Sequence, residues 1–132
     1  MRIKTFKDYK QRLWNTKVVR DIDFEKLKQD LDDIVVELKD DPKFRIVIDY
    51  KYDTISILIY DNKRKHFNIG SIKDYLDMIV DYVNNYYDYD LEVKILPKNT
   101  GSYKEYDNYE LHLDEDVHSI SLEFFDLKKV SE

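Results

Sequence analysis

The chain has no cysteine and no alanine, and only two glycines and two prolines among 132 residues. Without thiols there are no disulfides, no cysteine nucleophile and no thiolate-type zinc site. So little Gly and Pro argues against a flexible low-complexity chain. Long apolar runs are missing too. Nothing approaches the roughly 20 residues of a membrane span, and the N-terminal MRIKTFKDYKQRLW lacks the apolar core of a secretory signal. The expectation is a soluble cytoplasmic protein with no membrane contact. The sequence also has no Gly-rich phosphate loop, no H-E-x-x-H and no context for a serine nucleophile. Neither enzyme activity, a cofactor nor a metal is expected.

What is there is a chain 42% apolar and 38% charged. It is long enough for one domain, residues 1–132, with a modest core. Phe6, Tyr9 and Leu13 fit a short helix over 5–14, inside a basic N-terminal segment (1–20) that can lie at the periphery. Asp23 can cap a second helix over 24–40, whose Phe24, Leu27, Leu31, Ile34, Val35 and Leu38 share one face. From Phe44 the period falls to two, a turn follows at Tyr52–Thr54, and TISILIY and HFNI continue the meander. Ser71 and Asp74 suggest a capping box for a helix running to about Tyr87. The strand LEVKIL follows, then two more at about 108–113 and 118–127. This order predicts an α+β domain: a largely antiparallel sheet of about five strands, with two or three helices packed on one face.

One segment stands apart. DYLDMIVDYVNNYYDYD, residues 74–90, holds five aspartates, five tyrosines and no basic residue. On a helix, with Asp74 at zero, Asp77, Asp88 and Asp81 fall at roughly 300°, 320° and 340°, while the apolar residues cluster at roughly 120–200°. Like charges three and four residues apart cost a helix a few tenths of a kcal/mol per pair, so stability alone would not choose this stripe. Their spacing of about 5–6 Å is comparable to that of neighbouring phosphates on a nucleic-acid strand.

Charge is blocked along the whole chain. Counting Lys and Arg against Asp and Glu, residues 1–20 carry +6, 21–41 carry −6, 42–73 carry +4, 74–90 carry −5 and 91–132 carry −5, beneath a net charge of −6. Asp30, Asp33 and Glu37 lie on the outer side of the second helix, and Asp107, Asp114 and Asp116 belong to a third acidic block. Tyrosines accompany the acids. Tyr82 and Tyr86 suit the core, whereas Tyr87, Tyr89 and Tyr106, with Asp88 and Asp90, extend the outward surface. Acid mixed with Tyr suits a protein-binding face; an acidic face that only keeps the chain soluble is the plain alternative.

Three other constellations are weaker. The basic N-terminus and the KRK at 63–65 could touch RNA phosphates, but the pI of about 5.1 is low for a nucleic-acid binder. His112 and Asp114 would share one face of a hairpin strand, without a zinc-like spacing. Glu92-Val93-Lys94 has the E-x-K form of a nuclease strand, with Asp49 the only candidate for its second acid.

Taken together, DYLDMIVDYVNNYYDYD, DLDDIVVELKDD and YKEYDNYELHLDED give the chain a resemblance, in composition and charge pattern, to the small acidic inhibitors of phages and mobile elements: DNA mimics and anti-CRISPR proteins. The resemblance implies a bacterial host's cytoplasm and a protein partner with a basic nucleic-acid-binding groove, such as a Cas9-type nuclease, which reads its short DNA signal with arginines. An immunity protein that caps a basic nuclease toxin, or a non-catalytic phage accessory module, would use the same surface.

Overall fold

A computed structural model describes residues 22–63 and 65–130. The expected helix over 5–14, and the whole basic N-terminal segment (1–20), lie outside the described residues. Asp23 begins the first described helix by accepting the backbone N–H of Lys26 at 3.0 Å. Helix α1 spans Phe24–Ile34 and helix α2 spans Val36–Asp40. The expected single helix over 24–40 is therefore broken at Val35 (φ −98°, ψ 12°). Ile34, Val35 and Val36 are three consecutive β-branched residues, which crowd the preceding turn. The axis nevertheless carries on, since Lys39 N–H still reaches the Val35 carbonyl at 2.9 Å.

Strands β1 (Phe44–Lys51) and β2 (Thr54–Asp61) form the expected hairpin, with Lys51 opposite Thr54 and Tyr52 in the left-handed region (φ 56°). A short β3 (Phe67–Asn68) leads into a 3-10 turn, Ile69–Ile72, and then helix α3, Lys73–Tyr86. The Ser71–Asp74 capping box does not form. Asn68 instead caps the 3-10 turn, accepting from Gly70 N–H at 3.0 Å, while the Ser71 hydroxyl donates to the Asn68 carbonyl at 2.6 Å. Gly70 is needed here: a Cβ would come within 2.9 Å of Asn68 Oδ1 and 3.0 Å of the Leu113 carbonyl oxygen.

Helix α3 passes straight into strand β4, Tyr87–Pro97, with no loop between. Strands β5 (Lys104–Tyr106) and β6 (Asp116–Lys129) complete one six-stranded antiparallel sheet of order β1-β2-β6-β4-β5, with β3 pairing β6. The strand expected at 108–113 is absent. A 3-10 turn, Glu110–His112, stands there, and the sheet edge is made instead by β5.

The sheet has two unlike faces. Ile48, Ile55, Ile57, Ile59, Val93, Ile95, Ile120, Leu122 and Phe124 point to the helices and are buried with Leu27, Leu31, Leu76, Ile79 and Val83. In β6 the buried series changes parity twice, from Val117 to Ile120, Leu122 and Phe124, then to Leu127. Each change falls at a register shift against β4, where one extra residue enters β6. The second shift coincides with Asp126 in the left-handed region (φ 53°). The other sheet face carries Val47, Leu58, Tyr60, Glu92, Lys94 and Glu123, none of them buried. No described helix is long and apolar enough to cross a membrane.

Candidate protein-interaction surface

Two of the acidic blocks meet through tyrosines. Tyr75 and Tyr82 sit seven residues apart on one side of α3, and Glu37 and Asp30 sit seven apart on α1 and α2. The Tyr82 hydroxyl donates to Asp30 Oδ2, and the Tyr75 hydroxyl lies 3.4 Å from Glu37 Oε2. The two pairs run in opposite directions along the chain, so the helices lie antiparallel with an acid–phenol seam between them. Both phenols titrate above the usual range, mainly through burial and then through the facing carboxylate. They therefore stay protonated and act as donors.

A third segment closes on the other side of α3. Tyr109 is buried (1% exposed), and its hydroxyl donates to Asp77 Oδ1 at 2.5 Å. Lys73 donates to the second Asp77 oxygen. Burial alone would raise the Asp77 carboxyl, but the bonds from Lys73 and Tyr109 outweigh it and hold the carboxyl below the ordinary value. Tyr109 brings Glu110 within electrostatic reach of Lys73 on the helix.

Of the predicted surface acids, Asp33, Glu37, Asp74 and Asp81 are exposed and gather on this helical side, with Asp30 and Asp77 half-buried among them. Asp33 accepts from Gln29 at 3.1 Å. Asp107 and Asp114 are exposed on the loop after β5, and Asp116 is exposed at the start of β6, with His66 Nδ1 4.0 Å away.

Tyr87, Tyr89, Asp88 and Asp90 do not belong to this surface. The helix ends at Tyr86, so residues 87–90 alternate on a strand. Tyr87 and Tyr89 turn into the core at 9% and 1% exposure, and the Tyr89 ring meets Phe124 edge-on at 5.2 Å. Asp88 and Asp90 take the opposite sheet face, with Asp88 facing Lys128 across β4–β6. Tyr106 is half-buried, its ring 3.7 Å from that of His112. Of the expected core pair, Tyr82 packs against the core, half-buried, while Tyr86 is instead 55% exposed.

Tyr75 is the residue sequence reasoning passed over. The seven-residue echo between 75/82 and 30/37 was a readable signal; Tyr109 stood among the tyrosines beside the acids, but nothing in the sequence tied it to Asp77. Val36 and Met78, each about half exposed, are apolar contacts set among the acids.

The weaker constellations are taken apart. His112 Nδ1 lies 2.6 Å from Glu115 Oε2 in the 3-10 turn, while both ring nitrogens of His118 face backbone carbonyls, of Lys65 and Lys98. Among the described residues no group of three His, Asp or Glu is placed to hold a metal ion. Lys94 pairs with Glu123 at 3.2 Å, and β6 and β2 separate Glu92 from Asp49. No family model, no curated protein and no solved structure matches the chain.

Proposed function

We propose that this is a non-catalytic binding protein whose helical face, acidic and set with a few apolar side chains, occupies the basic nucleic-acid channel of a nuclease. The particular target class is an RNA-guided nuclease of the Cas9 type. The observation that carries this is the seam: Tyr82–Asp30 and Tyr75–Glu37 hold α3 against α1 and α2 in fixed register. A solubilising surface has no use for such a register. Asp33, Asp74 and Asp81 are left exposed, as carboxylates that arginines or lysines of a partner can pair with, and the exposed Met78 and Val36 add apolar surface.

The test is competition. The protein is titrated against a guide-loaded Cas9-type nuclease and its target duplex, at rising salt. Displacement of the duplex that weakens about tenfold or more as salt rises is expected of a contact carried by exposed charge. Reversing Asp33, Asp74 and Asp81 together to Lys should abolish displacement while leaving the fold intact, because all three side chains are exposed. Equal displacement by the reversed variant, or none by the natural protein, removes this reading.

A further inference from the structure

Strand β1 is an edge. Among the described residues, in the order β1-β2-β6-β4-β5, it pairs on one side only, with β2. Which of its backbone groups face outward follows from the register. Lys43, one residue before the strand, accepts Asn62 N–H at 2.7 Å in line with the β1–β2 pairing. Antiparallel pairs alternate between bonded and unbonded, so the odd residues of β1 bond to β2. The N–H and C=O groups of Ile46, Ile48 and Tyr50 then point away from the sheet. Phe44 presents only its carbonyl, because its N–H is taken by Asp41 O at 3.1 Å.

Such an edge usually carries charge to discourage pairing. Here the charges are self-complementary: Arg45 and Asp49 are exposed and flank the exposed Val47 on one face. Let a second copy run antiparallel, with the two-fold axis through Val47. Ile46 then meets Ile48 of the other copy and Phe44 meets its Tyr50, the positions whose polar groups point outward, for about six new backbone hydrogen bonds in the antiparallel pattern. In the same register Arg45 faces Asp49 of the other copy, twice. Moving the axis to Ile48 preserves the backbone parity but sets Arg45 against Lys51. Moving it to Ile46 shortens the overlap and sets Arg45 against Val47. Only the Val47 axis satisfies the backbone and pairs both charges.

We infer that β1 is the docking edge for a second copy of this chain, joining two sheets into one through a two-fold at Val47. The partner is specified by charge and by hydrogen-bond parity together. The contact is one eight-residue strand on each side, at the small end of specific interfaces, so the dimer forms reversibly and depends on concentration. It is independent of the acidic helical face, and its failure would leave the nuclease-binding proposal untouched.

Because the natural chain lacks cysteine, an introduced thiol reports one position alone. In an unbonded antiparallel pair the two Val47 Cα atoms lie about 4.5 Å apart, within the span of a disulfide. The two Asp49 positions would be about 14 Å apart, four residues of strand. Val47→Cys should become a covalent dimer under mild oxidation about tenfold faster than Asp49→Cys. Sedimentation of the natural protein should show a monomer–dimer equilibrium that Arg45→Asp abolishes and Arg45→Asp with Asp49→Arg restores. All four changes fall on exposed side chains. A natural protein that stays monomeric at several hundred micromolar, equal cross-linking rates at the two positions, or failure of the double charge exchange to restore the dimer would each overturn the inference.

Discussion

The phenol of Tyr82 donates to the carboxylate of Asp30 across 52 residues of chain, and this bond joins helix α3 to helix α1. Asp30 is half-buried, so removing the hydroxyl leaves a carboxylate short of a partner it cannot fully replace with water. Tyr82→Phe should cost about 1–2 kcal/mol, and Tyr75→Phe clearly less, since its contact to Glu37 is long at 3.4 Å and exposed. Urea midpoints at unchanged slope measure both. A Tyr82→Phe protein as stable as the natural one would show that apolar packing alone sets the register.

Asp77 predicts an acid-sensitive stability. Its carboxyl titrates below the ordinary value in the fold because Lys73 and Tyr109 donate to it against the cost of burial. The unfolded chain therefore binds this proton more tightly. The contribution is present above the usual carboxylate range and lost as pH falls through the lowered value. Asp77→Asn should cost about 1–3 kcal/mol at pH 7, with the gap to the natural protein closing towards pH 3 in thermal unfolding. A gap independent of pH would mean that the asparagine disturbs packing instead.

Glu92 behaves oppositely. Burial, then Glu105, raise its carboxyl, and Glu123 faces it directly across β4–β6; Lys94 offsets this in part. A raised carboxyl stabilises the fold only while protonated, and that contribution disappears as pH climbs through the raised value. At neutral pH the charge is a burden. Glu92→Gln should raise stability by about 0.2–1 kcal/mol at pH 7, the scale of a cross-strand pair, and by nothing once the carboxylates are protonated. A melting-temperature profile from pH 3 to 8 would reveal the crossover.

Tyr52 is 85% exposed yet held at φ 56° in the two-residue β1–β2 loop. Asparagine tolerates this conformation better than a bulky aromatic residue. Tyr52→Asn should stabilise the hairpin by about 0.5–1 kcal/mol, read from the chemical-denaturation midpoint. A loss would mean that the Tyr52 ring, with Lys51 Nζ 5.5 Å from its centroid, contributes more than the strain removes.

The sequence was most legible where one period ran unbroken. The hydrophobic stripe of α1 and the alternation of β1 and β2 gave elements, faces and fold class, since burial on one side leaves a clear signal. It was least legible at Tyr86–Tyr87. No Gly or Pro marks the change from helix to strand there, and the helical pattern, carried about one turn too far, put Tyr87, Tyr89, Asp88 and Asp90 on the wrong surfaces. For the same reason β6 looked shorter than it is: two bulges reset its alternation. Of the acids on α1 and α3, Asp33, Asp74 and Asp81 are exposed, but Asp30 and Asp77 are half-buried under Tyr82 and Tyr109, partners 52 and 32 residues away that no local pattern encodes.

The position of β6 has a consequence for how the molecule is made. This last strand in chain order lies at the centre of the sheet, between β2 and β4. Until translation has passed its final residues, the β1–β2 hairpin and the α3–β4 unit have no common neighbour. A nascent chain would carry two half-sheets, each with an open apolar border, and close them in one late, cooperative step. Such distant pairing folds slowly, so a ribosome stalled before residue 116 would expose a chain prone to stick to its neighbours.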